Sequence, residues 1–222
     1  MRKISLIAVV ILGFSACKNE ANKSIEKPSE HLEAQLNEIS KDTSNTKVSN
    51  NYIEVKTWID DFKNFRQAVY TNDKAKLKTY FRFPIVGETS GIWSLMSFND
   101  VEIAKRKAKY INPDLFYEED LDEFPDGVFN ADFVKTIMKI KTAQLFSKRQ
   151  TETPEFTANG QNFKMIATYD DDEAILQLNI SYSNNAVDEN GEKVSEGEHN
   201  VIYIFDVIGN KRIFFKKIEL AG

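Results

Sequence analysis

The 222-residue chain has one cysteine, two histidines and five prolines. With Cys17 alone, no disulfide can form within the chain, so the fold must be held by its core. The rest of the sequence also has no thiol nucleophile and no Cys-based metal site. Long apolar runs are missing too. The longest, Ile4–Phe14, has 11 residues, where a membrane-spanning helix needs about 20. No Gly-x-Ser-x-Gly, His-Glu-x-x-His or phosphate-loop motif occurs, which removes the familiar hydrolase, zinc-peptidase and nucleotide-binding signatures. Excess positive charge is absent as well. Of 29 basic and 34 acidic residues, the first 50 positions hold 7 and 6, which leaves 22 and 28 for residues 51–222. That balance argues against nucleic acid or anionic lipid as the partner.

What is present begins at the N-terminus. Basic Met1-Arg2-Lys3 precedes the apolar run, and small Ser15-Ala16 precede Cys17. This order is the signature of a secretory signal peptide. Phe14-Ser15-Ala16-Cys17 resembles the lipobox of bacterial lipoproteins, with Phe14 where that family usually carries Leu. The resemblance implies cleavage after Ala16 and acylation of Cys17, with palmitate among the chains. It also implies an envelope location anchored in the membrane through the N-terminal lipid. In enteric lipoproteins an acidic residue after the cysteine retains the protein at the inner membrane. Lys18 is not acidic, so the outer membrane is favoured, facing either the periplasm or the surface. The bland alternatives are an uncleaved apolar start or a free exported thiol. The chain thus divides into a signal peptide (1–16), lipidated Cys17 with a polar tether (17–50), and one globular domain (51–222). Residues 18–50 are poor in aromatics and rich in Lys, Glu, Asn and Ser, too polar to bury a core. Within them Ser29 can cap a nascent helix carrying Leu32, Leu36 and Ile39.

The domain holds every phenylalanine but Phe14. Trp58, Phe62, Phe65 and Val69 fall on one helical face, with Asp60, Asp61, Lys63 and Asn64 mainly on the other. Thr71-Asn72-Asp73 breaks that helix and caps a short second one carrying Leu77 and Tyr80-Phe81. Phe83-Pro84-Ile85-Val86 reads as extended. Asn99-Asp100 caps a basic helix over 101–110, and Asn130 caps another from Ala131 to about Phe146, with Phe133, Ile137 and Ile140 inward. From there the period becomes two. Asn162–Tyr169 and Ile175–Tyr182 alternate, Val201–Ile208 is apolar enough to be covered on both faces, and Gly209-Asn210 turns into a last strand over 211–220. The expected class is α+β: N-terminal helices packed on a C-terminal curved antiparallel meander of about four or more strands.

A long helix, a short helix running into Phe-Pro-Ile and a terminal meander resemble the nuclear transport factor two-like fold. The segments Phe62–Val69, Asn72-Asp73 and Phe81–Ile85 also resemble the start of small envelope lipoproteins of unknown function. The first resemblance implies helices lying in the concave face of the sheet to form a cone. Trp58, Trp93, Tyr182 and Tyr203 are then candidate ligand-lining residues at its mouth or interior. Enzymes of this fold, such as ketosteroid isomerase and scytalone dehydratase, run acid–base chemistry in that cavity. No residue here matches their motifs, so no catalytic residue is carried over.

Other clusters have plain readings. Six carboxylates between Glu118 and Asp126, and Asp170-Asp171-Asp172-Glu173, have the oxygen donors calcium prefers. Neither has an EF-hand pattern, and solvated loops explain both. With Tyr117, Leu121 and Phe124, the first could also form an acidic flap across the core. Asp188–Glu192 is a turn. His199 stands at a strand entrance with no carboxylate indicated to orient it. Lys105-Arg106-Lys107 with Lys109 is a solvated helix face, or a face that docks on the acidic stretch 118–126 or on anionic glycan or lipid.

The chain is therefore expected to be an envelope lipoprotein whose domain binds a small apolar ligand or another envelope protein. No metal or cofactor is called for. The alternative is a cone-fold lyase or isomerase acting on a small apolar substrate. Cys17→Ser should abolish incorporation of radioactive palmitate; undiminished labelling of that variant would rule the lipid anchor out.

Overall fold

The computed structural model describes residues 52–86, 90–96, 98–184, 186–192, 194 and 197–222. Cys17, the signal peptide, the tether and the Leu32–Ile39 segment lie outside them. The compact unit that contains the described residues runs from Ser49 to Gly222. Among those residues no helix is long and apolar enough to cross a membrane.

The domain is α+β, with helices first and an antiparallel sheet last. Helix α1 (Trp58–Tyr70) buries Trp58, Phe62, Phe65 and Val69, the stripe its spacing requires. Asn72 takes a positive φ of 50° and the Asp73 side chain accepts the Lys76 N–H to open α2 (Lys74–Lys78). Strand β1 (Ile85–Val86) pairs with β2 (Leu115–Phe116) in a small separate sheet. Between them lie a 3₁₀ turn (Ile92–Leu95) and α3 (Asp100–Lys109), which starts in an Asn99/Glu102 capping box. The acidic stretch is helical and not a loop: it forms α4 (Glu118–Glu123), followed by the single turn α5 (Pro125–Val128).

The helix expected over 131–146 is two helices, α6 (Ala131–Ile137) and α7 (Thr142–Lys148). In one continuous helix Leu145 would lie about 140° around the axis from Ile140. The break at 138–141 lets both side chains bury.

The main sheet has six strands. The meander β5 (Gln161–Asp170), β6 (Ile175–Ser183), β7 (His199–Ile208) and β8 (Arg212–Ala221) is extended at one edge by two short strands. These are β3 (Gln150–Glu152) and β4 (Phe156–Ala158), which both pair with β5. Three-residue edge strands separated by Pro154 offer little for edge-to-edge association. The β7–β8 turn places Gly209 and Asn210 at φ 60° and 54°, the double positive φ of a type I′ turn.

One face of this sheet is the core. Phe163, Met165 and Ala167 on β5, Leu176, Leu178 and Ile180 on β6, and Val201, Tyr203 and Phe205 on β7 all bury. The expectation that β7 is covered on both faces does not hold. On its other side Ile202 and Asp206 are half-buried and Ile208 is exposed. Only Ile204 is buried there, set between Gln177 and Lys217 in the register.

Against the buried face the helices lay a continuous run of aromatic rings. Phe133 meets Tyr203 at 4.3 Å and Phe129 at 5.1 Å. Phe65 meets Phe129, Phe205 and Tyr80 at 5.6, 5.2 and 5.1 Å. Phe81 stacks on Phe215 and Phe83 at 5.0 and 5.4 Å. Such ring pairs add to simple area burial.

Gly91 marks a tight approach of the helical half to the sheet edge. It has φ 64°, and a Cβ there would lie 2.0 Å from the Ile218 carbonyl oxygen on β8. Gly209 also has positive φ but faces open space. Gly91→Ala should therefore cost about 3 kcal/mol in urea unfolding and Gly209→Ala about 1 kcal/mol. Equal costs would show that the Gly91–Ile218 approach is relaxed.

Candidate functional site

Charge, and not apolar burial, holds helix α3 in place. Helix α3 contributes no buried residue. Its attachment is Arg106, whose side chain is one-tenth exposed and pairs with a wholly buried Asp120 on α4. The guanidinium forks onto both carboxylate oxygens, through Nη1 to Oδ1 and through Nη2 to Oδ2 at 2.9 Å. Its Nε donates to the Pro113 carbonyl at 2.7 Å, and Nη2 also donates to the Leu115 carbonyl. Asp120 accepts the Tyr117 N–H at 2.6 Å as well. Arg106 also lies 4.2 Å from the centre of the Trp93 ring and 4.8 Å from that of Tyr110. A planar, permanently charged fork suits this position in a way that lysine would not.

Three other carboxylates of this stretch are also engaged. Glu118 and Asp122 both pair with Lys78, and Glu123 faces Lys109 at 3.8 Å. The acidic run is thus the docking face for basic residues of α2 and α3. Of the basic run itself, Arg106 docks while Lys105 and Lys107 stay exposed. Among the described residues, no group of three or more His, Cys, Asp or Glu is placed to hold a metal ion. In the second cluster Asp170 accepts the N–H groups of Asp172 and Glu173, and Asp171 pairs with Arg149 at 2.5 Å. In the turn after β6, Asp188 accepts the N–H groups of Asn190 and Glu192. Those bonds hold its carboxyl below the usual range.

Between α3 and α4 the packing leaves a small cleft of about 140 Å³, open to solvent. Half-buried Phe98 and Phe124, edge to face at 5.0 Å, supply its apolar surface. Glu102, Lys105, Lys109 and Glu123 supply its charged rim. This is the candidate site.

The four residues expected to line a ligand cavity sit elsewhere. Trp58 is buried against Tyr169 at 4.3 Å. Tyr203 is wholly buried, donates to the Val128 carbonyl at 2.8 Å, and has its hydroxyl pKa raised by burial. Tyr182 donates to Asp132 at 3.3 Å and stacks on His199 at 4.5 Å; burial pushes it up to about 12. Trp93 alone lies near the cleft, as the plate beneath Arg106, with its Nε1 donating to the Asp114 carbonyl. His199 has Nδ1 3.0 Å from the Gly197 carbonyl.

A second constellation is legible only in three dimensions. Asp61, expected on the polar face of α1, has a wholly buried side chain. Its Oδ2 accepts the Ile213 N–H of β8 at 2.9 Å and its Oδ1 the Tyr80 hydroxyl at 3.3 Å. Arg212 approaches to 3.9 Å. The Trp58 N–H donates to the Asn210 carbonyl in the same hairpin. The carboxylate therefore staples α1 to the β7–β8 turn. Neither Asp61 nor Tyr80 lines the α3–α4 cleft.

Burial pushes the Asp61 carboxyl above its ordinary value of 3.8, against the lowering by the Ile213 N–H, Arg212 and Tyr80. The folded state then keeps this proton to higher pH than the unfolded chain does. The resulting stability is fully present below 3.8 and is lost as pH rises through the raised value. Asp61→Asn cannot titrate. Urea unfolding across the acid range should show the advantage of wild type over Asp61→Asn shrinking as pH rises. An advantage that grew with pH would mean Arg212 holds the carboxylate ionised.

Compared with known proteins, the chain matches no family model, and no curated protein or solved structure matches it either.

Proposed function

We propose that the chain is an envelope lipoprotein, acylated at Cys17 and held at the outer membrane. Its domain binds a small apolar or amphiphilic ligand, or a segment of another envelope protein, without catalysing a reaction. The observation that carries the binding reading is where the aromatic surface is open. Rings fill the interface between helices and sheet, whereas Phe98 and Phe124 face the α3–α4 cleft beside Lys105 and Lys109. An apolar floor with a few convergent charges is the usual chemistry of a ligand site. A nuclear transport factor two-like cone remains part of this proposal; the order of helices then meander supports it.

The second reading is a cone-fold lyase or isomerase. The observation in its favour is Asp61, a buried carboxyl beside the Tyr80 hydroxyl. Its weakness is that both oxygens are already taken by hydrogen bonds that tie α1 to β8 and Tyr80.

The binding reading is tested with anilinonaphthalenesulfonate, an apolar anion whose emission rises on binding. Phe98→Ser and Phe124→Ser should each weaken its affinity about tenfold, with the melting temperature recorded in parallel. Affinity unchanged in both variants would overturn the site.

A further inference from the structure

The α3–α4 cleft presents charges of both signs around aromatic rings. Lys105, Arg106 and Lys109 line it against Glu102, Asp120 and Glu123, three cations to three carboxylates. Arg106 and Asp120 are taken up by each other. The Glu102 carboxylate closes the α3 cap by accepting the Asn99 N–H at 2.9 Å. What remains at the rim is Lys105, with no ion-pair partner among the described residues, and the Lys109–Glu123 pair. That pair is loose, 3.8 Å apart with side chains 49% and 58% exposed. Exposed pairs of this kind hold their partners weakly, so both ends are open to charges from outside.

The wall behind Lys109 carries an unmet group. The Tyr110 ring stacks on Tyr117 at 4.3 Å, which fixes where its enclosed hydroxyl sits. Lys109 lies beside it, but an ammonium donates and cannot accept. The phenol proton therefore has no acceptor among the described residues. Buried polar groups are normally satisfied, and an unmet donor in the wall of a cleft marks a place for an acceptor atom of a ligand. On the apolar side Phe98 meets Phe124 at 5.0 Å and Trp93 at 5.6 Å. The cleft of about 140 Å³ is close to the roughly 150 Å³ that takes one benzene ring.

On the reading that this cleft is the ligand site, we propose that it binds a free α-amino acid carrying one aromatic ring. The ring lies against Phe98 and Phe124. The carboxylate takes Lys105 and, once Lys109 swings away from Glu123, the Tyr110 hydroxyl. The α-ammonium takes the place of Lys109 beside Glu123. Charge complementarity selects this class. A lining of three cations and three carboxylates gives no net preference to a simple anion or a simple cation, and each would leave one sign of the rim unmatched. A zwitterion matches both.

The test is equilibrium dialysis of the full chain against radiolabelled phenylalanine, with anilinonaphthalenesulfonate titrated on the same preparation. Phenylalanine should bind saturably. Phenylpropionate, which lacks the ammonium, and phenylethylamine, which lacks the carboxylate, should each compete about fivefold less well. Alanine, which lacks the ring, should compete more than about tenfold less well. Glu123→Gln should cost phenylalanine about fivefold more than it costs phenylpropionate. Tyr110→Phe, which keeps the stacked ring, should cost phenylalanine more than it costs phenylethylamine. These ratios are read within one variant, so a general loss of stability does not imitate them. Equal competition by the three ring compounds, competition by alanine as good as by phenylalanine, or binding of phenylalanine only inside a peptide overturns the assignment. If dye binding still depends on Phe98 and Phe124 while free phenylalanine does not bind, the amino-acid assignment falls and the site stands. If neither the dye nor phenylalanine responds to Phe98→Ser and Phe124→Ser, the site itself falls.

Discussion

Phe65 is the contact on which the rest of the domain depends. It projects from the middle of α1 and meets Tyr80, Phe129 and Phe205. Those rings belong to the segment after α2, the segment before α6 and the central strand β7. One side chain thus joins three parts of the chain that are far apart in sequence. The rings around it extend to Tyr203 at one end and to Phe83 and Phe116 at the other. Interiors pack at crystal-like density, so a face occupied by this many rings is core. Any binding function is displaced to the rim of the helical layer.

Polar groups complete what the rings begin. Asp61 satisfies a backbone N–H of β8 that the hairpin leaves unpaired at that point, and the Tyr80 carbonyl accepts from Phe215 on the same strand. Further out, the chain changes strategy. From 98 to 124 the elements are short and bury few apolar side chains, and the forked Arg106–Asp120 pair carries the contact. Breaking a buried pair by removing one partner is expensive because it strands a charge. The same pair frees the apolar side chains of α3 from a structural task. That is why the cleft and the basic run both occur on this helix.

Much of this was readable from residue order. The α1 stripe, the Asp73 and Asn130 caps, the switch to period two after residue 160 and the Gly209-Asn210 turn each depend on neighbours within a few positions. The α+β class follows from them. Asp61 was not readable, because a carboxylate next to Asp60 on a helix looks solvated until β8, some 150 residues later, presents an N–H to it. The break at 138–141 has no proline or glycine to announce it; it arises from the demand that both Ile140 and Leu145 reach the core. Trp58, Tyr182 and Tyr203 could not be assigned to a cavity or a core by composition, since both are lined by the same side chains.

Local sequence determined the elements, their caps and turns, and the one apolar run that ends at Cys17, because these follow from backbone preferences and side-chain periodicity over short spans. Tertiary structure alone decided that the acidic stretch is a docking face, that Arg106 points inward while Val101 and Ala108 point out, and that the buried sheet face is filled. Those outcomes turn on which distant groups meet. Neither the strength of an ion pair nor the fate of an apolar side chain is defined until its surroundings exclude water.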